Sequence, residues 1–315
     1  MRGRGRMRTR TALLAAVLVA TPFTLTSAAA SPRTATQTAA VQTAAVQAAA
    51  DQSCDPTKSI RPSSSESGPA VTAIKARGVL VAGVDQDSYD WGFRNPVTGQ
   101  LQGFDIDLIH AVAKALLGDP DKVQFKMVPT ANRIDAIKSG SVDLIARTMT
   151  ITCDRLNDLA FSTEYFQAGQ QVVVPKAAHA KTIDDAVRGK RVCVADSSTA
   201  QDYLTKHPLG QSGEVVVENQ LDCLVRMQLG QADATMTDNA LAVGQAAQDP
   251  TMQVIGPSLT NEPYGIAMAK TAPDLVARVN QILEDYRRSG WQDSYDHWLK
   301  PGLGPMSPPA ANYLP

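Results

Sequence analysis

Residues 141–166 read SVDLIARTMTITCDRLNDLAFSTEYF, and the punctuation of this stretch decides how the chain folds. Residues 142–146 form a short apolar run, the mark of a buried strand. A loop carrying two hydroxyls follows, at Thr148 and Thr150. Thr152 then stands where a helix N-cap is expected. Arg155 falls in the first turn of that helix. A cation there opposes the helix dipole, whose positive end favours negative charge. The conflict is removed if an anion binds between Arg155, the hydroxyls and the free backbone N–H groups. A carboxylate or a phosphate fits that description. The alternative is an Arg155 that runs out to solvent or pairs with Asp154 or Asp158, and this segment alone leaves both open.

Working outward, strands and helices alternate. GVLVAGV (78–84) reads as a strand, and FDIDLIHAVAKALLG (104–118) carries Ile106, Ile109, Val112, Ala113 and Leu116 at helical spacing. VQFKMVP (123–129) is a strand, and NRIDAIKSG (132–140) a short helix ended by Gly140. QQVVVPK (170–176) is strand-like and placed to cross between two halves. The pattern then restarts with a helix near 183–188, the strand KRVCVAD (190–196) and a helix near 199–206. EVVVEN (214–219), the helix LDCLVRMQLG (221–230) and the strand ADATMTD (232–238) continue it. YGIAMAK (264–270) is strand-like, and a long helix, DLVARVNQILEDYRRSG (274–290), closes the series. Such alternation predicts an α/β protein with mostly parallel sheets. KSGSVDLIA and QLGQADATM share a helix, a Gly and a strand that starts at Asp143 or Asp233, so two similar lobes are expected.

Five Arg (Arg2, Arg4, Arg6, Arg8, Arg10) precede an apolar run, and Ser27-Ala28-Ala29-Ala30 offers a cleavage site, so residues 1–30 are expected to be a signal peptide. The run is short for a membrane span of about 20 residues. Without those five Arg, 25 basic residues face 31 acidic ones, a net charge of −6. That mild acidity argues against nucleic acid as a partner. Residues 31–70, rich in Ala, Thr and Gln and then in Ser and Pro, are expected to be a tether. Cys54 follows Asp51, Gln52 and Ser53 with no apolar residue three places before it. No lipid anchor is expected there; the signal peptide predicts an exported, extracellular or cell-surface protein. Four Cys in an exported chain predict two disulfides among Cys54, Cys153, Cys193 and Cys223, with three connectivities possible. No clustered Cys/His spacing supports a metal.

GFDIDL (103–108), SGSVDLIA with TMTITCDR and FSTEYF, AVRGKRVCVADSSTAQDYL and ADATMTDNALA together resemble the bacterial extracellular solute-binding proteins of family 3. The likeness covers about residues 72–299. The Cys pattern and EPYGIA (262–267) resemble its actinobacterial glutamate-binding branch. The resemblance implies a type II periplasmic-binding-protein-like fold, two α/β lobes joined by two crossing strands, with an amino acid in the cleft and a membrane ABC permease as partner. Lobe one is then expected over 71–170, lobe two over 171–260, and a return to lobe one with C-terminal helices and a Pro-rich tail over 261–315. The crossings are expected near 170–174 and 257–264. Closure about them around ligand is the expected motion. A disulfide between lobes would tie down that hinge, which favours Cys54–Cys153 and Cys193–Cys223.

By the same resemblance Arg155 grips the ligand α-carboxylate, with Thr150 and Thr148 beside it, and Asp238 receives the α-ammonium. Asp238 also stands where it could cap the next helix. Ser198 and Thr199 are expected on the ligand carboxylate or side chain, or else in simple helix capping. Tyr89, Trp91 and Phe93 cluster in a chain that is only 5% aromatic, which singles them out as ligand-stacking candidates. Arg147, at a strand end, is expected to select an acidic side chain, which gives glutamate first and then aspartate, asparagine and glutamine. Its alternative is a pair with a surface carboxylate.

Catalysis is not expected. No Gly-x-Ser-x-Gly elbow, phosphate loop or Gly-x-Gly-x-x-Gly is present. His110, His179, His207 and His297 are scattered. A few relatives of the fold are periplasmic dehydratases, and the paired acids Asp105 and Asp107 could suggest general acid/base chemistry, but their spacing at a helix start puts them on different faces. No catalytic residue, cofactor or metal is assigned, and a monomer is expected. A ligand sensor for a membrane signalling partner is the second reading, since sensing and transport both need ligand-driven closure.

Overall fold

Gly103 fixes where the first long helix begins. Its φ is +128°, and a Cβ there would meet the Trp91 carbonyl oxygen at 2.4 Å, so only glycine lets the two segments pass. The helix it opens buries Ile106, Ile109, Val112, Ala113 and Leu116, the stripe expected from their spacing, and Gly118 ends it in a left-handed turn. Removing one such side chain, as in Ile109→Ala, costs about 2–5 kcal/mol.

The structure, a computed structural model, describes residues 54–315. The expected signal peptide and the tether up to residue 53 lie outside the described residues. In chain order lobe one opens with α1 (Pro69–Arg77), β1 (Leu80–Val84) and a small sheet of β2 (Asp87–Ser88), β3 (Gly92–Arg94) and β4 (Leu101–Gln102). Then come α2 (Phe104–Leu117), β5 (Val123–Met127), α3 (Arg133–Lys138), β6 (Leu144–Ile145), α4 (Cys153–Leu156) and β7 (Leu159–Phe161). After β8 (Phe166–Ala168) the chain enters lobe two with β9 (Gln170–Pro175) and α5 (Ile183–Val187). β10 (Arg191–Ala195), α6 (Thr199–Lys206), β11 (Gly213–Val217), α7 (Asp222–Gln228), β12 (Ala234–Asp238), α8 (Asn239–Gln248) and β13 (Met252–Ile255) complete it. The chain returns through β14 (Glu262–Tyr264) to β15 (Ala267–Ala269), α9 (Pro273–Ser289), α10 (Trp291–Trp298) and α11 (Lys300–Leu303).

Each lobe is built on a five-stranded sheet, ordered β5-β1-β6-β15-β7 in lobe one and β11-β10-β12-β9-β13 in lobe two. Three strands run parallel in each, and the returning strands pair antiparallel. The repeated Gly-x-x-Asp segments occupy equivalent places in the two sheets. Asp143 accepts the Val81 N–H and Asp233 the Arg191 N–H, both at 2.8 Å, so each acid satisfies the first donors of a neighbouring strand.

Two expectations change. The first crossing is β8, not 170–174. β8 pairs antiparallel with β14 in a separate two-stranded ribbon. β9 instead lies between β12 and β13, where its backbone is fully engaged in the lobe-two sheet. Residues 54–68, expected to be tether, are strapped along lobe one. Ser59 donates to the Phe161 carbonyl at 2.7 Å, Asn280 donates to the Ser59 hydroxyl and the Ile60 carbonyl, and Ser63 N–H reaches the Ala277 carbonyl. Ser59 also forms a bridge with Tyr313, which ties the strap to the C-terminal tail. Composition reads as loose here because the ordering comes from partners more than 100 residues away.

Cys54 bonds Cys153 and Cys193 bonds Cys223, the pairing within lobes. The second closes a 30-residue separation, which contributes roughly 3–4 kcal/mol by the chain-entropy estimate.

Candidate functional site

The loop after β6 is held on both sides. Gly265 N–H donates to the Met149 carbonyl and Ile151 N–H to the Pro263 carbonyl, so the crossing strand and the loop move together. Thr152 caps α4 by accepting the Arg155 N–H at 3.2 Å. That cap turns the Arg155 side chain inward. It is 8% exposed; Nη1 donates to the Thr150 carbonyl at 2.8 Å and Nη2 to the Ser197 carbonyl of lobe two at 3.1 Å. Its two sequence neighbours are engaged elsewhere, Asp158 by Lys138 and Asp154 by Lys206. Burial lowers the Arg155 pKa, and the facing carboxylates of Glu262 and Asp238 oppose that shift.

Arg155 lines a polar cavity between the lobes. Lobe one supplies Thr130, Arg133, Arg147, Thr148 and Thr150 to its wall; lobe two supplies Gln170, Ser198, Thr199, Gln220, Thr237 and Asp238. Asp238 ends β12 and is 6% exposed. Its side chain does not cap α8. Gln170 Nε2 donates to one of its oxygens and the Tyr264 hydroxyl to the other. Burial and the nearby Glu262 push its carboxyl up to about 7, against the pull of Tyr264, Arg155 and Arg133. Ser198 caps α6 by accepting the Gln201 N–H, and Thr199 accepts from Gln170 Nε2 at 3.1 Å.

Of the residues singled out in sequence, the fold brings together Arg147, Thr148, Thr150, Arg155, Ser198, Thr199 and Asp238. Trp91 and Phe93 are corrections. Trp91 is 1% exposed and packs edge-on against Phe104, Phe166 and Tyr264, with its indole N–H on the Ala240 carbonyl. Phe93 packs against Trp298, and Tyr89 lines a smaller neighbouring cavity with Gln220 and Leu241. Trp91 and Phe93 do not line the cleft, whereas Tyr89, 36% exposed, borders a cavity that shares Gln220 and Leu241 with it. A ring that can bury its whole surface in the core is more stable there than at a wet cleft.

Arg147 also differs from expectation. It is 3% exposed and pairs with Asp85 at 2.9 Å, while Nη1 donates to Thr130 and Nη2 to Asn219 of lobe two. Its charge is already answered from inside lobe one. Arg133, which sequence reasoning passed over, is like Arg155 a buried cation without a paired acid among the described residues. It is 5% exposed, its Nε donates to the Thr130 carbonyl at 3.0 Å, and among the described residues no carboxylate pairs with it. Burial and the neighbouring Arg155 and Arg147 hold its pKa well below the usual guanidinium range. The signal was available: Arg133 opens α3, so it is a second cation in a helix's first turn.

The cavity therefore joins two buried guanidinium groups from lobe one, Arg155 and Arg133, and a carboxylate from lobe two. That arrangement complements a small zwitterion with a polar end. The chain matches the model of the bacterial extracellular solute-binding proteins, family 3, over residues 80–301. It belongs to that family. The ABC transporter glutamine-binding protein of Bacillus subtilis is 36% identical over 232 residues, 73% of this chain and 84% of the relative. A glutamate-binding protein of Corynebacterium efficiens is 28% identical over 252 residues, covering 76% and 84%. Among solved structures, a solute receptor for L-cysteine of Neisseria gonorrhoeae superposes with a TM-score of 0.69 at 31% identity, over 74% of this chain and 95% of that one. This family 3 protein thus has the two-lobe fold of type II binding proteins. Among its described residues no helix is long and apolar enough to cross a membrane.

Proposed function

We propose that this family 3 protein is the exported receptor of an ABC importer for polar amino acids, and that its preferred ligand is glutamate. The observation that carries the choice of ligand is Arg133, a buried guanidinium facing the cleft without an acid of its own. A buried cation costs free energy until an anion pairs with it. In this reading Arg155 and Thr150 take the α-carboxylate, Asp238 the α-ammonium, and Arg133 the side-chain carboxylate. Arg155 and Asp238 belong to opposite lobes, so a zwitterion stabilises the closed state more than the open one. The receptor acts as a single copy that presents its closed form to the permease.

Glutamine is the second reading. The Bacillus relative is named for it, and an amide carbonyl also accepts from a guanidinium. Calorimetric titration of ligand-stripped protein with glutamate, aspartate, glutamine and asparagine separates the two. Glutamate at least about tenfold tighter than glutamine is expected, the margin one charge-assisted bond supplies. Glutamine tighter than glutamate would overturn the ligand assignment, and no binding across the panel would overturn the receptor.

A further inference from the structure

Asp105 opens α2 in the GFDIDL segment and is 2% exposed, yet it does not line the cleft. Its neighbour Asp107 has a plain structural role, accepting from Ser294 and Trp298, both at 2.7 Å, and so tying α2 to α10. Asp105 points the other way. Its Oδ1 accepts the Tyr165 hydroxyl at 2.8 Å, and its Oδ2 accepts the backbone N–H of Thr148 at 3.0 Å. Thr148 lines the cleft, and its φ is +42°. A β-branched residue is a genuine outlier in the left-handed region. Such a conformation persists only where the surroundings over-determine it, and it gathers at ligand sites.

Resting on the amino-acid-binding reading above, we propose that Asp105 is a positioning residue, whose buried carboxyl holds Thr148 in its left-handed turn and thereby sets the wall of the ligand cleft. Thr148 sits between two fixed points, the Arg147–Asp85 ion pair and the Met149 carbonyl bonded to Gly265. Between them the direction of the chain depends on one φ. Among the described residues Asp105 is the acceptor for the Thr148 N–H. If that acceptor is lost, the threonine has reason to leave the left-handed region, and the loop that carries Thr150 is re-aimed. Burial pushes the Asp105 carboxyl up to about 7, against its two hydrogen bonds. The turn survives either protonation state, because a protonated carboxyl can donate to Tyr165 and still accept from Thr148.

The test is a cycle of Asp105→Leu and Thr148→Gly, read by titration with L-glutamate and L-glutamine and by thermal unfolding. Leucine fills the space but accepts nothing. Glycine adopts the left-handed turn without help. Asp105→Leu is expected to weaken binding about 10- to 100-fold in the wild-type background. In the Thr148→Gly background it should cost no more than about threefold, even though the lost hydrogen bond still lowers the unfolding temperature. Asp105→Asn should bind within about threefold of wild type, with its oxygen on Thr148 and its amide on Tyr165. Should Asp105→Leu fail to fold, the same cycle is read with Asp105→Ala, which leaves room for water. Equal losses in both backgrounds, or no loss at all, would overturn the positioning role. Wild-type protein that binds no amino acid would overturn the receptor reading as well, so the two failures are distinguishable.

Discussion

Arg133→Met is the substitution that tests the ligand assignment most directly. Methionine keeps much of the length of the side chain and removes the charge. In the ligand-free protein it deletes the Nε bond to Thr130, at about 1 kcal/mol. It also deletes a buried cation with no acid, whose desolvation is not repaid. The second effect outweighs the first, so the ligand-free variant should be more stable than wild type by on the order of 1 kcal/mol. Ligand binding should move the other way. A carboxylate held by two charge-assisted bonds, each worth about 1.5–3 kcal/mol and not fully additive, loses on the order of 3 kcal/mol, or about 150-fold in Kd. Glutamine loses one bond to a neutral carbonyl, about tenfold. The assays are calorimetric titration with both amino acids and thermal unfolding without ligand. Glutamate binding within about threefold of wild type, or equal losses for the two ligands, refutes the reasoning.

Arg155→Ala should abolish binding of every α-amino acid while circular dichroism and unfolding remain those of a folded protein; near-normal affinity would contradict the carboxylate assignment. Arg147→Gln strands Asp85 in a buried site, so it should destabilise the fold by about 3–5 kcal/mol and weaken glutamate and glutamine alike; a loss confined to glutamate would restore Arg147 as the selector. Asp238 has a folded pKa of about 7, raised from the ordinary carboxylate value near 4. Between those two values the folded state binds the extra proton, so this contribution to stability is present below about pH 4 and is lost as pH rises through about 7. The ligand-free protein should therefore melt at a lower temperature at about pH 7.5 than at about pH 5, and Asp238→Asn should reduce that difference, with the buried Asp105 and the half-buried Glu164, also raised to about 7, contributing to the rest; an unchanged slope would show that Asp238 does not contribute.

Residues 141–166 were legible because their anomaly was local. A cation in a helix's first turn, next to hydroxyls, raises the question of an anion from local sequence alone, and Arg155 lies in the cleft. Arg133 offered the same anomaly with one threonine before it, Thr130, where Arg155 has Thr148, Thr150 and Thr152, and so did not stand out. Trp91 misled for the opposite reason. Aromatic density after a strand describes a cleft wall and a core equally well. What separates them is the set of rings around Trp91, contributed by Phe104, Phe166 and Tyr264 from distant parts of the chain. The Asp85 partner of Arg147 and the Asn280 partner of Ser59 were invisible in the same way. Periodicity marks elements and dipoles mark their ends, but the pairing of charges is decided only when strands are placed side by side.

The strap carries a mechanical consequence. Cys54 is bonded to Cys153, Ser59 is bridged to Tyr313, and Asn312 donates to Asp55 and Thr57. Both ends of the described chain are therefore fastened to the same lobe. A load, tag or anchor attached at either end would pull on that lobe alone and exert no torque across the β8–β14 ribbon. In the receptor reading proposed above, the other lobe is the half that moves on closure, however the molecule is moored.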